Sequence, residues 1–236
     1  VGLGALSKTL YLVFVPAFLL WARLSSGWDW QRLARRSVIY VAAALVVVSP
    51  WTVRNYLTFN RFVLVSANGG YNLWIGNNPE ATGGLFATNG QGMWQVMPAE
   101  LSERLARSTD LEKDEVLRAE AIAWIKANPG RALALVPSRW RALWWFEPFM
   151  PSDFPLFREV SYLAILVPAL AGAWLSRHRW RQLSILYLPG LTMTAVYSVY
   201  YGGARFRYLI EFSLMILAAH ALHRLIAAFA GGKECP

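Results

Sequence analysis

Charge is scarce in this chain, and acidic charge scarcest. Only 16% of its 236 residues are Asp, Glu, Lys or Arg, where a soluble domain carries roughly a quarter. Acidic residues number 14 against 23 basic ones. Cysteine is nearly absent too: Cys235 is the only one, which excludes a disulfide framework within the chain. Of the three histidines, His220 and His223 lie close together without a carboxylate or Cys partner, and a metal site needs more ligands than that. No Ser-His-Asp set, Walker loop or dinucleotide fingerprint occurs. The net charge of +9 sits in short basic clusters beside apolar runs, without a nucleic-acid-binding motif, so nucleic acid is not an expected partner.

No basic n-region opens the chain, so no signal peptide is read there. Val1-Gly-Leu-Gly reads as the middle of an apolar helix, and the chain is expected to be the C-terminal portion of a longer protein.

What is abundant is apolar and aromatic: 56% hydrophobic residues and 12 Trp. They gather in long uncharged runs, which place the protein in a membrane. Val1–Trp21 is either one spanning helix with a buried Lys8 or two shorter helices turning at Ser7-Lys8-Thr9. Arg23, Arg32, Arg35 and Arg36 crowd the loop that follows, which the positive-inside rule makes cytoplasmic. A helix over Ser37–Val53 then leads outward. Val38 to Val48 is apolar apart from Tyr40, and Pro50 is expected to end the helix. Val160–Leu175, Leu183–Tyr200 and Leu209–Phe229 read as further spans, with a second basic loop at Arg177, His178, Arg179 and Arg181. The expected fold is a mainly α, polytopic membrane protein of four to five spans.

Residues 54–157 interrupt the spans. They hold ten basic and ten acidic residues, so no charge bias opposes export, and they are expected outside as a small mixed α/β insert. Asn60–Pro98, rich in Gly, Asn and aromatics, reads as strands and ordered loops. Glu100–Arg107 and Glu112–Lys126 read as helices, stopped by Asn128-Pro129-Gly130. Arg131–Phe146 is either an interfacial helix or a buried helix of the insert. The division is thus 1–53, 54–157 and 158–236.

Basic side chains at membrane depth on the outer side run against the positive-inside bias, so Lys8, Arg54, Arg205 and Arg207 stand out. Guanidinium groups offer planar, charge-assisted contacts to phosphate, and ordinary snorkelling to headgroups is the other reading. A second cluster, Asn68, Gly70, Tyr71, Asn72, Trp74, Asn77 and Asn78, suits a hydroxyl-rich ligand: amides for hydroxyls, rings for stacking, Gly for close approach. The same Asn and Gly residues equally suit tight turns. Glu147 and Asp153 flank prolines near the membrane and are open to a substrate-facing role.

The stretch Pro50-Trp51-Thr52-Val53-Arg54-Asn55-Tyr56, followed by Ser66-Ala67-Asn68-Gly69-Gly70-Tyr71-Asn72-Leu73-Trp74-Ile75-Gly76-Asn77-Asn78-Pro79, resembles the central signature of bacterial glycosyltransferase family 39. These are phospholipid-carrier-dependent GT-C enzymes, related to protein O-mannosyltransferases and lipid A aminoarabinose transferases. Leu3–Thr9 resembles the family's Gly-Leu-x-x-Leu-Thr-(Lys/Arg) stretch, and Arg205-Phe206-Arg207 its Arg-Phe-Arg motif, although Tyr208-Leu209 stands where a residue and then Pro is usual. The resemblance implies a bacterial inner-membrane transferase with residues 54–157 on the periplasmic side. It implies a polyprenyl-phosphate sugar donor and a lipid, glycan or protein acceptor. No cofactor is implied, and a divalent metal stays open. Lys8, Arg54, Arg205 and Arg207 would bind the donor phosphate, and the Asn-rich cluster would line the sugar or acceptor side. The family's catalytic Asp has no counterpart in this sequence, so the catalytic residue is unknown and expected upstream of Val1. A lipid-linked saccharide flippase and a non-catalytic membrane subunit are the competing readings.

Overall fold

A computed structural model describes residues 2–7, 9–147 and 149–229, and its regular elements there are helices. In order they are α1 (Gly2–Ser7), a 3-10 turn (Thr9–Val13), α2 (Phe14–Ser26) and α3 (Trp30–Phe59). The insert supplies α4 (Gly69–Gly76), α5 (Ala99–Ala106), α6 (Asp110–Ala127), α7 (Pro129–Ala134) and α8 (Val136–Trp144). The chain closes with α9 (Pro155–Leu175), α10 (Trp180–Tyr197) and α11 (Tyr208–Phe229).

Among the described residues, four helical stretches are long and apolar enough to cross a membrane: Thr9–Ser26, Trp30–Phe59, Pro155–Leu175 and Tyr208–Phe229. The chain is a mainly α, multi-pass membrane protein by that measure. α10, also expected as a span, is more polar; Arg181, Gln182, Ser184, Thr192 and Thr194 lie along it. It packs against α2, α8 and α11, so less of it needs an apolar neighbour.

The N-terminal stretch is broken rather than continuous, and its pieces have different partners. α1 lies against α3, where a Cβ on Gly2 would come 2.9 Å from Val47 Cβ, and Ala5 and Val48 share a small core with Val65. α2 packs on α10 instead.

The expectation that Pro50 ends its helix is overturned. α3 begins at an Asp29 cap, whose carboxylate accepts the Arg32 N–H at 2.7 Å, and runs through Pro50 to Phe59. A proline removes the N–H that would reach the carbonyl one turn back. Here the Ser49 hydroxyl donates to that Val46 carbonyl at 2.9 Å. At about 1.5 Å per residue, thirty residues span on the order of 45 Å, more than the roughly 30 Å hydrocarbon layer.

Two pairings set the directions of the bundle. The Trp21 indole N–H, late in α2, donates to the Gln182 carbonyl, early in α10, at 3.3 Å. α2 and α10 are therefore antiparallel, and the two basic loops share one end of the bundle. α9 and α11 run parallel: the Arg207 guanidinium lies 3.7 Å above the Tyr162 ring, and ten residues further along each helix a Cβ on Gly172 would fall 1.9 Å from the Leu217 carbonyl oxygen. Small residues on this seam (Ala169, Gly172, Ser213, Ala218) let the two backbones touch.

The mixed α/β insert is corrected as well. Among the described residues no strand forms; the only extended pairing is an isolated antiparallel bridge between Phe86 and Gly92. The Gly-rich run expected as strand and loop contains α4. The two predicted insert helices are present as α5 and α6, the latter opened by a Thr109–Glu112 capping box. Arg131–Phe146 divides into α7 and α8. Arg139, Ala142 and Leu143 of α8 are buried while Trp140 and Arg141 face out.

Candidate functional site

The late turns of α3 act as a latch. Trp51 Nε1 donates to the Val65 carbonyl at 3.0 Å, Thr52 Oγ1 to Leu64 at 2.7 Å, and the buried Asn55 amide to both Val63 and Val65 at 3.1 Å. Positions 51, 52 and 55 share one face of the helix, so together they straighten the segment that leads into α4.

α4 is held by a carboxylate from 44 residues downstream. Asp114 of α6, 4% exposed, accepts the N–H groups of Gly70 at 2.7 Å and Tyr71 at 3.2 Å. It also pairs with Arg118 at 2.6 Å. First-turn amides of a helix need such acceptors. The approach is so close that a Cβ on Gly70 would lie 1.9 Å from the Asp114 carbonyl oxygen. The amides that Asp114 occupies are thereby closed to an anionic ligand.

The far end of α4 is tied to the turn that precedes α11. Arg139, 2% exposed, donates to the Ser198 carbonyl at 2.6 Å, to Gly76 at 2.8 Å and to Asn77 Oδ1 at 2.9 Å. Burial pushes its guanidinium down to about 10, so it stays cationic at neutral pH. Gly202 donates to the Gly83 carbonyl at 2.8 Å, and a Cβ on Gly202 would come 2.0 Å from the Arg139 carbonyl oxygen. The Asn-Gly motif of α4 and the Arg-Phe-Arg turn, 122 residues apart at the Asn77–Val199 hydrogen bond, are thus one packed unit.

Between these elements lies a cavity of about 610 Å³, within the range of small-ligand pockets. It opens at the end of the bundle opposite the basic loops. Leu6, Leu10, Val13, Val65, Val196 and Val199 are among its apolar lining, and Thr9, Ser66, Asn68 and Asn72 supply its hydroxyls and amides. Thr9 and Ser66 share a 2.8 Å hydrogen bond across it. Trp51, Tyr200, Tyr201 and Phe206 complete the wall.

The predicted cations separate here. Arg54 lies 5.1 Å over the ring of Trp51, a wall residue. Arg205 donates to the Tyr201 hydroxyl and sits 4.9 Å over Phe206, both wall residues. Arg207 turns the other way: buried, it donates to the Trp145 carbonyl at 2.7 Å and stacks on Tyr162, outside the cavity. Lys8 lies outside the described residues, although its neighbour Thr9 lines the cavity. Arg118, which drew no attention as one charge on a solvated-looking helix, reaches within 3.6 Å of where a Cβ on Gly69 would be.

The Asn-rich cluster also separates. Asn68 and Asn72 line the cavity. Tyr71 stacks on Trp94 at 4.0 Å, and burial raises its hydroxyl pKa, opposed by Arg205. Gly70 is the contact with α6. Trp74 is core. Asn77 and Asn78 are buried and spend their amides on backbone carbonyls at the end of α4, the turn-building role.

Glu147 is nearly buried at 8% exposure and accepts the Leu85 N–H at 2.6 Å. Burial raises its pKa, against the Leu85 amide and Arg205. It therefore faces the interior of the insert beside Arg205, while Asp153 is exposed. Compared with protein-family models, with curated proteins and with solved structures, the chain matches none.

Proposed function

We propose that the chain carries the donor-lipid site of a membrane glycosyltransferase that takes a sugar from a polyprenyl-phosphate carrier and transfers it at the insert face of the bilayer. One observation carries this reading: a cavity at the insert end of the bundle is lined mainly by apolar and aromatic side chains together with the Thr9 and Ser66 hydroxyls and the Asn68 and Asn72 amides, and Arg54 and Arg205 each lie over a lining ring. An isoprenoid chain suits the apolar lining, and a phosphate with its sugar suits the amides and hydroxyls. The positive-inside rule applied to the basic end supports an insert on the outer side; a bacterial inner membrane rests on the family resemblance.

In this reading an acceptor hydroxyl attacks the anomeric carbon, the bond to the carrier phosphate breaks, and the configuration inverts. A carboxylate takes the hydroxyl proton as general base; no residue described here is assigned that role. Arg205, with Arg54, stabilises the charge that develops on the leaving phosphate. Asn68 and Asn72 orient the sugar.

The test is saturable binding of a polyprenyl-phosphate hexose to the chain in nanodiscs, with Arg205→Ala weakening it about tenfold or more. Absent saturable binding, or affinity unchanged in Arg205→Ala, overturns the proposal. Export of the lipid across vesicles without sugar transfer to an acceptor would favour the flippase instead.

A further inference from the structure

α4 has a second face. Opposite the Asn68–Asn72 side it borders another cleft, of about 650 Å³, formed with α5 and the C-terminal half of α6. Its character differs from the first cavity. Trp124 supplies accessible aromatic surface, with the core residue Trp74 in the lining, and Glu80, Glu100, Glu120 and Arg104 supply the charge.

Each group has a definite setting. Trp124 is half-buried on α6. The Arg131 guanidinium lies 5.8 Å over its ring while donating to the Pro79 carbonyl at 2.5 Å, which fixes one end of the cleft. Arg104 pairs with Glu120 at 3.1 Å between α5 and α6. Glu80 and Glu100 are exposed and have no ion pair among the described residues. The surface therefore joins an indole face to carboxylate acceptors, with the Arg104 and Arg131 guanidiniums against three carboxylates.

We infer that this cleft binds a neutral, hydroxyl-rich oligosaccharide. Sugar C–H faces pack on indole rings, and hydroxyl groups donate to carboxylates in charge-assisted hydrogen bonds. The excess negative charge repels acidic glycans and phosphate, which sets this cleft apart from its neighbour across α4. The inference stands independently of the donor reading, since the two sites share only the helix between them.

The experiment uses the chain in nanodiscs with fluorescent mannotetraose and chitotetraose as probes, and tetragalacturonate and tetralysine as comparison ligands. At least one neutral tetrasaccharide binds saturably, and tetragalacturonate does not. Trp124→Ala weakens binding about tenfold or more. Ala123→Trp, an exposed position lining the cleft, abolishes it by filling space while the thermal transition stays in place. Arg205→Ala leaves it unchanged, so loss of polyprenyl-phosphate binding and loss of oligosaccharide binding are read separately. The inference is overturned if neither neutral probe binds, if both cleft variants bind as well as the unmodified chain, or if tetralysine binds more tightly than the sugars.

Discussion

The side-chain amide of Asn55, 2% exposed in the late turns of α3, donates a 3.1 Å hydrogen bond to the carbonyl of Val65, ten residues further on. The same carbonyl takes the Trp51 indole at 3.0 Å. The helix end and the segment entering α4 are joined there as one element.

Asn55→Ala is expected to lower stability by about 1–3 kcal/mol, since it strands the Val63 carbonyl and half of the Val65 pairing in a buried place. Asn55→Asp should be at least as damaging, because a carboxylate donates nothing and brings a buried charge. Thermal unfolding in detergent measures both; an unshifted transition in Asn55→Ala would remove the latch from this account.

Gly70→Ala and Gly130→Ala should differ sharply. At Gly70 the added carbon meets the Asp114 backbone, which cannot swing aside, so overpacking of about 1–3 kcal/mol or more is expected. At Gly130 nothing lies within 4 Å. Alanine there should be neutral or stabilising by up to about 1 kcal/mol through the unfolded state. Denaturation of the two variants side by side is the measurement.

Glu147 makes stability pH-dependent in a stated direction. Its folded pKa is raised by burial above the ordinary 4.5, so the folded state holds the proton more tightly than the unfolded chain. Its contribution is fully present below 4.5 and is lost as pH rises through the raised folded value. Glu147→Gln keeps an acceptor oxygen for the Leu85 N–H and removes the titration. The variant's melting temperature should exceed the unmodified protein's at about pH 8, with the gap closing on acidification. A gap that stays constant with pH would refute the assignment.

Both basic loops lie at one end of the bundle and the insert at the other. With Cys235 changed to Ser, a cysteine at Glu112 should react with an impermeant reagent added to intact cells. One at Arg35 should react only after lysis. The opposite pattern inverts the topology.

Apolar runs and basic loops were legible as spans and as alternation, because lipid acts on each helix separately and leaves its mark in local composition. The helices of the insert were legible for the same local reason, although α6 opens earlier, at the Thr109–Glu112 cap. Pro50 was not, because the rescue of its missing bond depends on which way the Ser49 hydroxyl turns. α4 was not, because its first amides wait for Asp114, and nothing near Gly69 announces an acceptor so far along the chain. Arg139 looked like one charge in an amphipathic helix; only packing turned it into the bridge between two motifs.

The candidate site followed the same division. Composition and spacing picked out Asn68 and Asn72, which line one cavity, and Arg205, which stacks on its Phe206 wall, but equally Arg207, Asn77 and Asn78, whose polar groups are engaged within the fold. By itself the sequence determined a membrane-embedded helical protein with a charge-balanced insert, since hydrophobicity and charge act residue by residue. Only the tertiary structure decided which of two similar arginines contacts the cavity's lining rings, and that Pro50 lies within a helix. Those outcomes depend on the partners that distant segments bring, and burial leaves room for one set of them.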